Sequence, residues 1–168
     1  MSWSGCRRFP VEAPLPTPDC NATADAPWHS AGDLYAVHVE TRGPSCGEAS
    51  LLLTLTGPDG TVLYRLETGA AAIRTLYGVP GAREMQAELE SLIDQRHPKP
   101  QRSGELPVWP RDDLRPDGFE PAIDRAAYEA ARADDLALFC HAYAPRTQTC
   151  VLLVAPAQAA VIGRRLLE

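Results

Sequence analysis

The sequence predicts one α+β domain, built as an antiparallel sheet of about five to seven strands with two helices packed against one side. Several segments alternate apolar and polar residues with the period of two that suits a half-buried strand, whereas two segments show the helical period. The strands occur in runs with helices inserted between them, and this order favours an antiparallel sheet over strict βαβ alternation. A length of 168 residues is sufficient for one such domain with its own core.

The first half of the folded region is predicted to be mainly strand. Its first strand alternates through Tyr35, Val37 and Val39. The next two strands form a hairpin closed by Gly57-Pro58-Asp59-Gly60, where the proline ring fixes φ for the turn and the last glycine supplies a left-handed conformation. The predicted strands in this half are residues 33–41, 51–56, 61–67 and 73–77.

Two segments have the pattern of amphipathic helices. The first covers residues 82–96 and places its apolar side chains on one stripe, Met85, Leu89, Leu92 and Ile93. The second covers residues 124–133. There Asp124 is placed to cap the free amides of the first turn, and Ile123 is placed to pack against Tyr128.

The C-terminal part is predicted to be a hairpin followed by a third strand. Residues 136–143 and 147–155 are apolar runs around Ala144-Pro145-Arg146, and residues 161–167 favour a strand, with a final helix as the alternative. If Tyr143 pairs with Thr147, the antiparallel register places Cys140 directly opposite Cys150, within disulfide reach. The alternative is two reduced cysteines packed as small apolar residues.

Cysteine usage predicts an oxidising, extracytoplasmic compartment. Five cysteines occur without C-x-x-C or zinc-finger spacing, which favours disulfides over a metal site or redox chemistry, with buried free thiols as the alternative. Residues 43–47 match the G-x-S-x-G pattern of the nucleophile elbow of α/β-hydrolases, which would make Ser45 a nucleophile. That elbow must lead into a helix, whereas here a predicted strand follows. We therefore favour a tight turn in which Cys46 is bonded to Cys20.

Residues 1–30 are predicted to form an extended N-terminal leader outside the domain at 31–168. Residues Trp3-Ser4-Gly5-Cys6 resemble the end of a bacterial lipobox, although leucine is typical where Trp3 stands. That resemblance implies a lipid anchor at Cys6. Alternating prolines follow at positions 10, 14, 16 and 18 and favour a semi-rigid polyproline II spacer, which would tether the domain to a membrane. The alternative is a disordered leader with an incidental cysteine.

Charge and motif content exclude several function classes. A net charge of −6 disfavours nucleic-acid binding, which needs clustered positive charge. No apolar run is long enough to predict a transmembrane span. The four histidines share no metal-ligand spacing, and no nucleotide or calcium motif occurs, so neither a metal nor a cofactor is expected. The histidines are His29, His38, His97 and His141.

The segment that suggests a functional surface is the long proline-rich loop at residues 97–121. A loop of this length without regular structure is usually functional or disordered, and prolines lower the entropy that ordering it would cost. Trp109 beside Arg111, Asp112 and Asp113 is an amphipathic cluster typical of interfaces. The alternative is that Trp109 anchors a crossover between the two helices to the core.

The leading functional hypothesis is a non-catalytic extracytoplasmic domain, in a bacterial envelope or secreted, that binds or inhibits another protein or envelope component. It depends on the expected compartment, on the missing catalytic motifs and on the proline-rich loop. A small hydrolase using Ser45 or a histidine–aspartate pair is the first alternative. A structural accessory protein of the envelope is the second.

Overall fold

The computed structural model describes residues 19–94, 101–154 and 158–167. The first eighteen residues, including the lipidation candidate Cys6, lie outside the described residues, as does His97. Within the described part the chain forms eight strands and two helices. The strands are β1 (Ala22–Ser30), β2 (Asp33–Arg42), β3 (Ser50–Thr56), β4 (Val62–Gly69), β5 (Phe119–Pro121), β6 (Leu138–Ala144), β7 (Thr147–Val154) and β8 (Gln158–Leu166), and the helices are α1 (Ala82–Leu92) and α2 (Arg125–Asp134).

The α+β class and the antiparallel pairing are confirmed, but the strands form two sheets rather than one. The first sheet is a meander with the order β1-β2-β3-β4, and the second has the order β5-β8-β7-β6. Every strand pair is antiparallel. The predicted C-terminal strand is confirmed as β8, which pairs with β7 and also with the short β5.

Strand β1 corrects the expectation of a leader extending to residue 30. It pairs along its length with β2, and Trp28 is only 1% exposed in the core. The backbone N–H of Thr23 donates to Gln86 Oε1 of α1 at 3.1 Å, so the backbone groups of odd-numbered residues face the outer edge of the sheet. Pro27 lies at one of these outward-facing positions, where a backbone N–H would have no neighbouring strand to pair with. A proline, which has no N–H, is therefore tolerated there.

The hairpin β3–β4 has the predicted turn, in which Gly60 has φ of 84° and Thr61 N donates to Asp59 Oδ1 at 2.9 Å. The strand expected at residues 73–77 is wrong. A 3₁₀ turn over Ala70–Ala72 is followed by further turns, and Leu76 N donates to the Ile73 carbonyl at 2.8 Å. Both Ile73 and Leu76 are buried, because their spacing of three suits a turn that buries one side.

Both predicted helices are confirmed, with shifted ends. Helix α1 buries the apolar stripe through Met85, Leu89 and Leu92, and ends at Leu92 rather than at residue 96. The Asp124 side chain caps α2 by accepting from Ala127 N at 2.8 Å. The helices do not share one side of one sheet. Helix α1 packs with the first sheet, whereas α2 packs with the second.

Both predicted disulfides are present. Cys140 lies directly opposite Cys150 in the β6–β7 hairpin, and Cys20 is bonded to Cys46. The expected pairing of Tyr143 with Thr147 is wrong, because Thr147 pairs with Ala144 and Tyr143 is the extra residue of a bulge. The turn is therefore one residue shorter than predicted.

The second sheet separates two hydrophobic clusters. The first cluster lies between the inner face of the first sheet, α1 and the second sheet, and the other lies between the second sheet and α2. Strand β6 contributes to both, because Phe139 packs in the first cluster and Cys140 in the second. Alternate residues of a strand point to opposite faces, so this sheet is buried on both sides.

Candidate functional site

The proline-rich segment, here called the crossover loop, connects the two helices, and the structure describes it from residue 101. It is more regular than predicted, since it contains a 3₁₀ turn over Ser103–Glu105 and ends in β5. Arg102 Nε forms an ion pair with Asp135 Oδ2 at 2.8 Å, and Ser103 Oγ donates to the Ala131 carbonyl. These contacts fix the start of the loop against the end of α2.

One face of α2 holds the middle of the crossover loop through backbone carbonyls. Tyr128 donates its hydroxyl to the Pro107 carbonyl at 2.8 Å, and Arg132 Nε donates to the Leu106 carbonyl at 3.0 Å. Burial raises the pKa of Tyr128 to about 12, so its hydroxyl remains a donor over the whole physiological range. These side chains thereby provide hydrogen-bond donors to the backbone carbonyls of the loop. An irregular segment packed against a core needs such partners, because its backbone groups are not paired in a helix or a sheet.

Trp109 and Arg125 fix the turn that follows. Arg125 donates to the carbonyls of Trp109 and Arg111 at 2.8 and 2.9 Å, and its guanidinium lies 5.9 Å from the centre of the Trp109 ring. The indole Nε1 donates to the Asp113 carbonyl at 3.0 Å, and the ring packs edge-on against Tyr128. Trp109 is half-buried, so it anchors the loop to the second cluster, the alternative considered from the sequence.

Beyond this anchor, the crossover loop exposes apolar side chains. Leu114 is 96% exposed and Val108 is 63% exposed. Exposed apolar side chains on an ordered surface loop are available for contact with a partner. The three sequence-predicted surface residues directly precede Leu114 in the chain, and all are exposed: Arg111, Asp112 and Asp113.

Ser45 has no catalytic environment among the described residues. Its hydroxyl donates to Glu48 Oε2 at 3.1 Å, and the turn leads into β3 rather than into a helix. The turn is instead a structural corner. Cys20 N donates to the Gly43 carbonyl at 2.9 Å, and a Cβ on Gly43 would lie 2.6 Å from the Ala49 Cα. Glycine is required there because the two backbone segments approach so closely.

The fold does bring one histidine and one aspartate together. His38 Nδ1 lies 2.7 Å from Asp25 Oδ1, across β1 and β2 on the solvent face of the first sheet. His38 Nε2 lies 3.9 Å from Glu40 Oε2, and no hydroxyl or thiol of the described part of the chain hydrogen-bonds to the imidazole. The pair is therefore an exposed cross-strand contact without a nucleophile.

The remaining candidates are also dispersed. His141 is buried in β6, whereas His29 lies in β1 near the opposite end of the first sheet from Ser45. Over residues 19–94, 101–154 and 158–167, no group of three or more potential ligands is arranged to hold a metal ion. Neither described helix is long and apolar enough to cross a membrane.

Sequence reasoning identified the loop but not the helix face that fixes it. The spacing of these side chains in the sequence could have indicated this face. The loop-binding residues of α2 lie three, four and seven positions after the first of them, and this spacing places them on one side of a helix. They are Arg125, Tyr128, Glu129 and Arg132.

Comparison of the chain with protein-family models, with curated proteins and with solved structures found no match.

Proposed function

We propose that the chain is a non-catalytic extracytoplasmic domain that binds another protein through the crossover loop. The observation that carries the proposal is Leu114, which is 96% exposed on a turn whose backbone is fixed by Arg125 and Trp109. An apolar side chain held in water by an ordered backbone is suited to insertion into an apolar pocket of a partner.

Rigidity supports a binding role because association costs conformational entropy. The loop carries Pro107, Pro110 and Pro116, and the side chains of α2 bond its carbonyls. A loop that is already ordered loses little further freedom when it binds, so more of the contact energy is available as affinity. Surface loops on a rigid scaffold are the usual location of recognition residues.

The compartment supports the same proposal. Two intramolecular disulfides accord with an oxidising environment outside the cytosol. A lipid anchor at Cys6, followed by the proline-rich spacer, would hold such a binding domain at an envelope surface. Inhibition of the partner is one consequence of occupying its pocket.

The test compares two leucine variants in affinity capture from an envelope extract of the source organism, with partners identified by mass spectrometry. Leu114→Asp places a charge on the proposed contact. Leu34→Asp is the matched control, since Leu34 is also exposed but lies on β2, away from the crossover loop. A protein retained by the parent chain and by the Leu34 variant, and lost with the Leu114 variant, is expected. Equal retention by both variants would show that the loop is not the binding surface.

A further inference from the structure

A second surface feature lies between the two sheets, on β4 and the β6–β8 part of the second sheet. This inter-sheet cleft has a volume of about 350 Å³, which falls within the range of small-ligand sites. Apolar walls are supplied by Leu66, Ile73 and Val161. The polar and aromatic lining side chains are Tyr64, Thr68, His141, Tyr143, Thr149 and Arg164.

The strand register places the polar side chains of the cleft in one row. His141 lies directly opposite Thr149, and Thr149 lies directly opposite Arg164. Directly opposed residues of neighbouring strands project from the same face of a sheet with their Cβ atoms about 4.5–5.5 Å apart. The row therefore presents an imidazole, a hydroxyl and a guanidinium to one face of the cleft.

Packing fixes one end of this row. His141 is buried, and its Nδ1 lies 3.0 Å from the Ala142 carbonyl, so this nitrogen carries the proton in that contact. The imidazole stacks on Tyr64, with 6.1 Å between the ring centres. Burial raises the pKa of Tyr64, which keeps its hydroxyl protonated and able to donate.

The other end of the row carries the positive charge. The Arg164 guanidinium lies 4.0 Å from the centre of the Tyr143 ring, and Arg164 is exposed. Among the described residues no carboxylate forms an ion pair with Arg164, and no acidic side chain lines the cleft. Glu120 of β5 lies directly opposite Arg164, but its carboxylate forms an ion pair with Arg115 at 2.9 Å. The described lining of the cleft therefore contains one arginine and no carboxylate, beside apolar walls.

We propose that the inter-sheet cleft binds a small monocarboxylate with an apolar body, whose carboxylate contacts Arg164 and Thr149. The guanidinium balances the single charge of a carboxylate, whereas a phosphate dianion would keep a second negative charge for which the described lining has no further arginine or lysine. The aromatic rings and aliphatic walls would enclose the apolar body. None of the residues that line the cleft belongs to the crossover loop, so this site adds a ligand to the proposed function without depending on it.

The test uses 3-phenylpropionate as the probe and 3-phenylpropionamide as its neutral counterpart, titrated into the full chain at millimolar concentration and followed by amide NMR shifts. We expect saturable shifts at His141, Thr149 and Arg164 with the acid. The amide should bind about tenfold more weakly, because it lacks the charge that strengthens a hydrogen bond to guanidinium.

Variants locate the binding. Arg164→Gln should weaken binding of the acid about tenfold, whereas Arg65→Gln, on the solvent face of β4, should leave it unchanged. Thr149→Val, which preserves the β-branched shape, should also weaken binding and provides a second measure if the arginine variant folds poorly. Absence of saturable shifts in the cleft, equal affinity for acid and amide, or unaltered binding by the Arg164 and Thr149 variants would overturn the proposal.

Discussion

The two disulfides are expected to stabilise the domain unequally. Cys20–Cys46 spans 26 positions of sequence and Cys140–Cys150 spans 10. When a disulfide restricts the unfolded chain, its contribution rises with the logarithm of the loop it closes, giving about 3.5 kcal/mol for the longer loop and about 2.7 kcal/mol for the shorter. Replacing both cysteines of a pair with alanine should therefore cost about 0.8 kcal/mol more at Cys20–Cys46.

Differences in packing should not reverse this order. All four sulfur-bearing residues are buried, so each double substitution removes two buried sulfur atoms and creates a similar loss of contact. The hairpin around Cys140 and Cys150 is also held by strand pairing, because β7 pairs with β6 on one side and with β8 on the other. Its disulfide joins residues that are already close in sequence, so it restricts the unfolded chain less than the Cys20–Cys46 disulfide does.

The measurement is guanidinium unfolding of both double-alanine variants in a Cys6→Ala background, which prevents mispairing with the fifth cysteine. Tryptophan fluorescence monitors both clusters, since Trp28 lies in the first and Trp109 borders the second. Far-ultraviolet circular dichroism should give the same transition if unfolding is two-state. A larger loss of unfolding free energy at Cys140–Cys150, with equal m-values, would refute the loop-length reasoning.

Two further predictions concern the face of α2 that holds the crossover loop. Arg125→Gln should lower the unfolding free energy by about 1–2 kcal/mol and accelerate proteolytic cleavage near Trp109, because two charge-assisted hydrogen bonds are lost; unchanged cleavage relative to Arg65→Gln would contradict this. The pKa of Tyr128 is raised to about 12, so the stability it contributes should be complete below about pH 10 and be lost as the pH rises towards 12. Ultraviolet titration should show that Tyr128→Phe removes a tyrosine that ionises near pH 12, and an unchanged titration curve in that variant would show that the assignment is wrong.

Local patterns predicted the elements whose determinants are close in sequence. The turn at residues 57–60, the capping of α2 by Asp124 and the pairing of Cys140 with Cys150 depend on contacts within a few residues or on simple antiparallel register. The register survived an error in the turn, because the bulge at Tyr143 compensates for the shorter loop.

The sequence-based predictions were wrong where an element depends on contacts between segments that are distant in the chain. Residues 22–30 are predicted to belong to the leader, whereas they form β1, and Pro27 fits this strand because it lies on the outer edge of the sheet, beside α1. The strand order of the second sheet includes β5 joined to β8, which lies more than forty residues later in the chain. The spacing of the polar residues in α2 predicts that they share one face. Their partners could not be predicted, because they are backbone carbonyls, which every residue has whatever its side chain.

The position of β6 between two clusters also limits how the chain can misfold. If β6 slipped by one residue against β7, the Phe139 side chain would point toward α2 and the Cys140 side chain toward the first sheet. Both hydrophobic clusters would then lose a side chain that packs in them in the native structure. A slipped pairing would also separate Cys140 from Cys150. The disulfide therefore holds the hairpin in its native register, since Cys140 and Cys150 lie directly opposite each other only in that alignment.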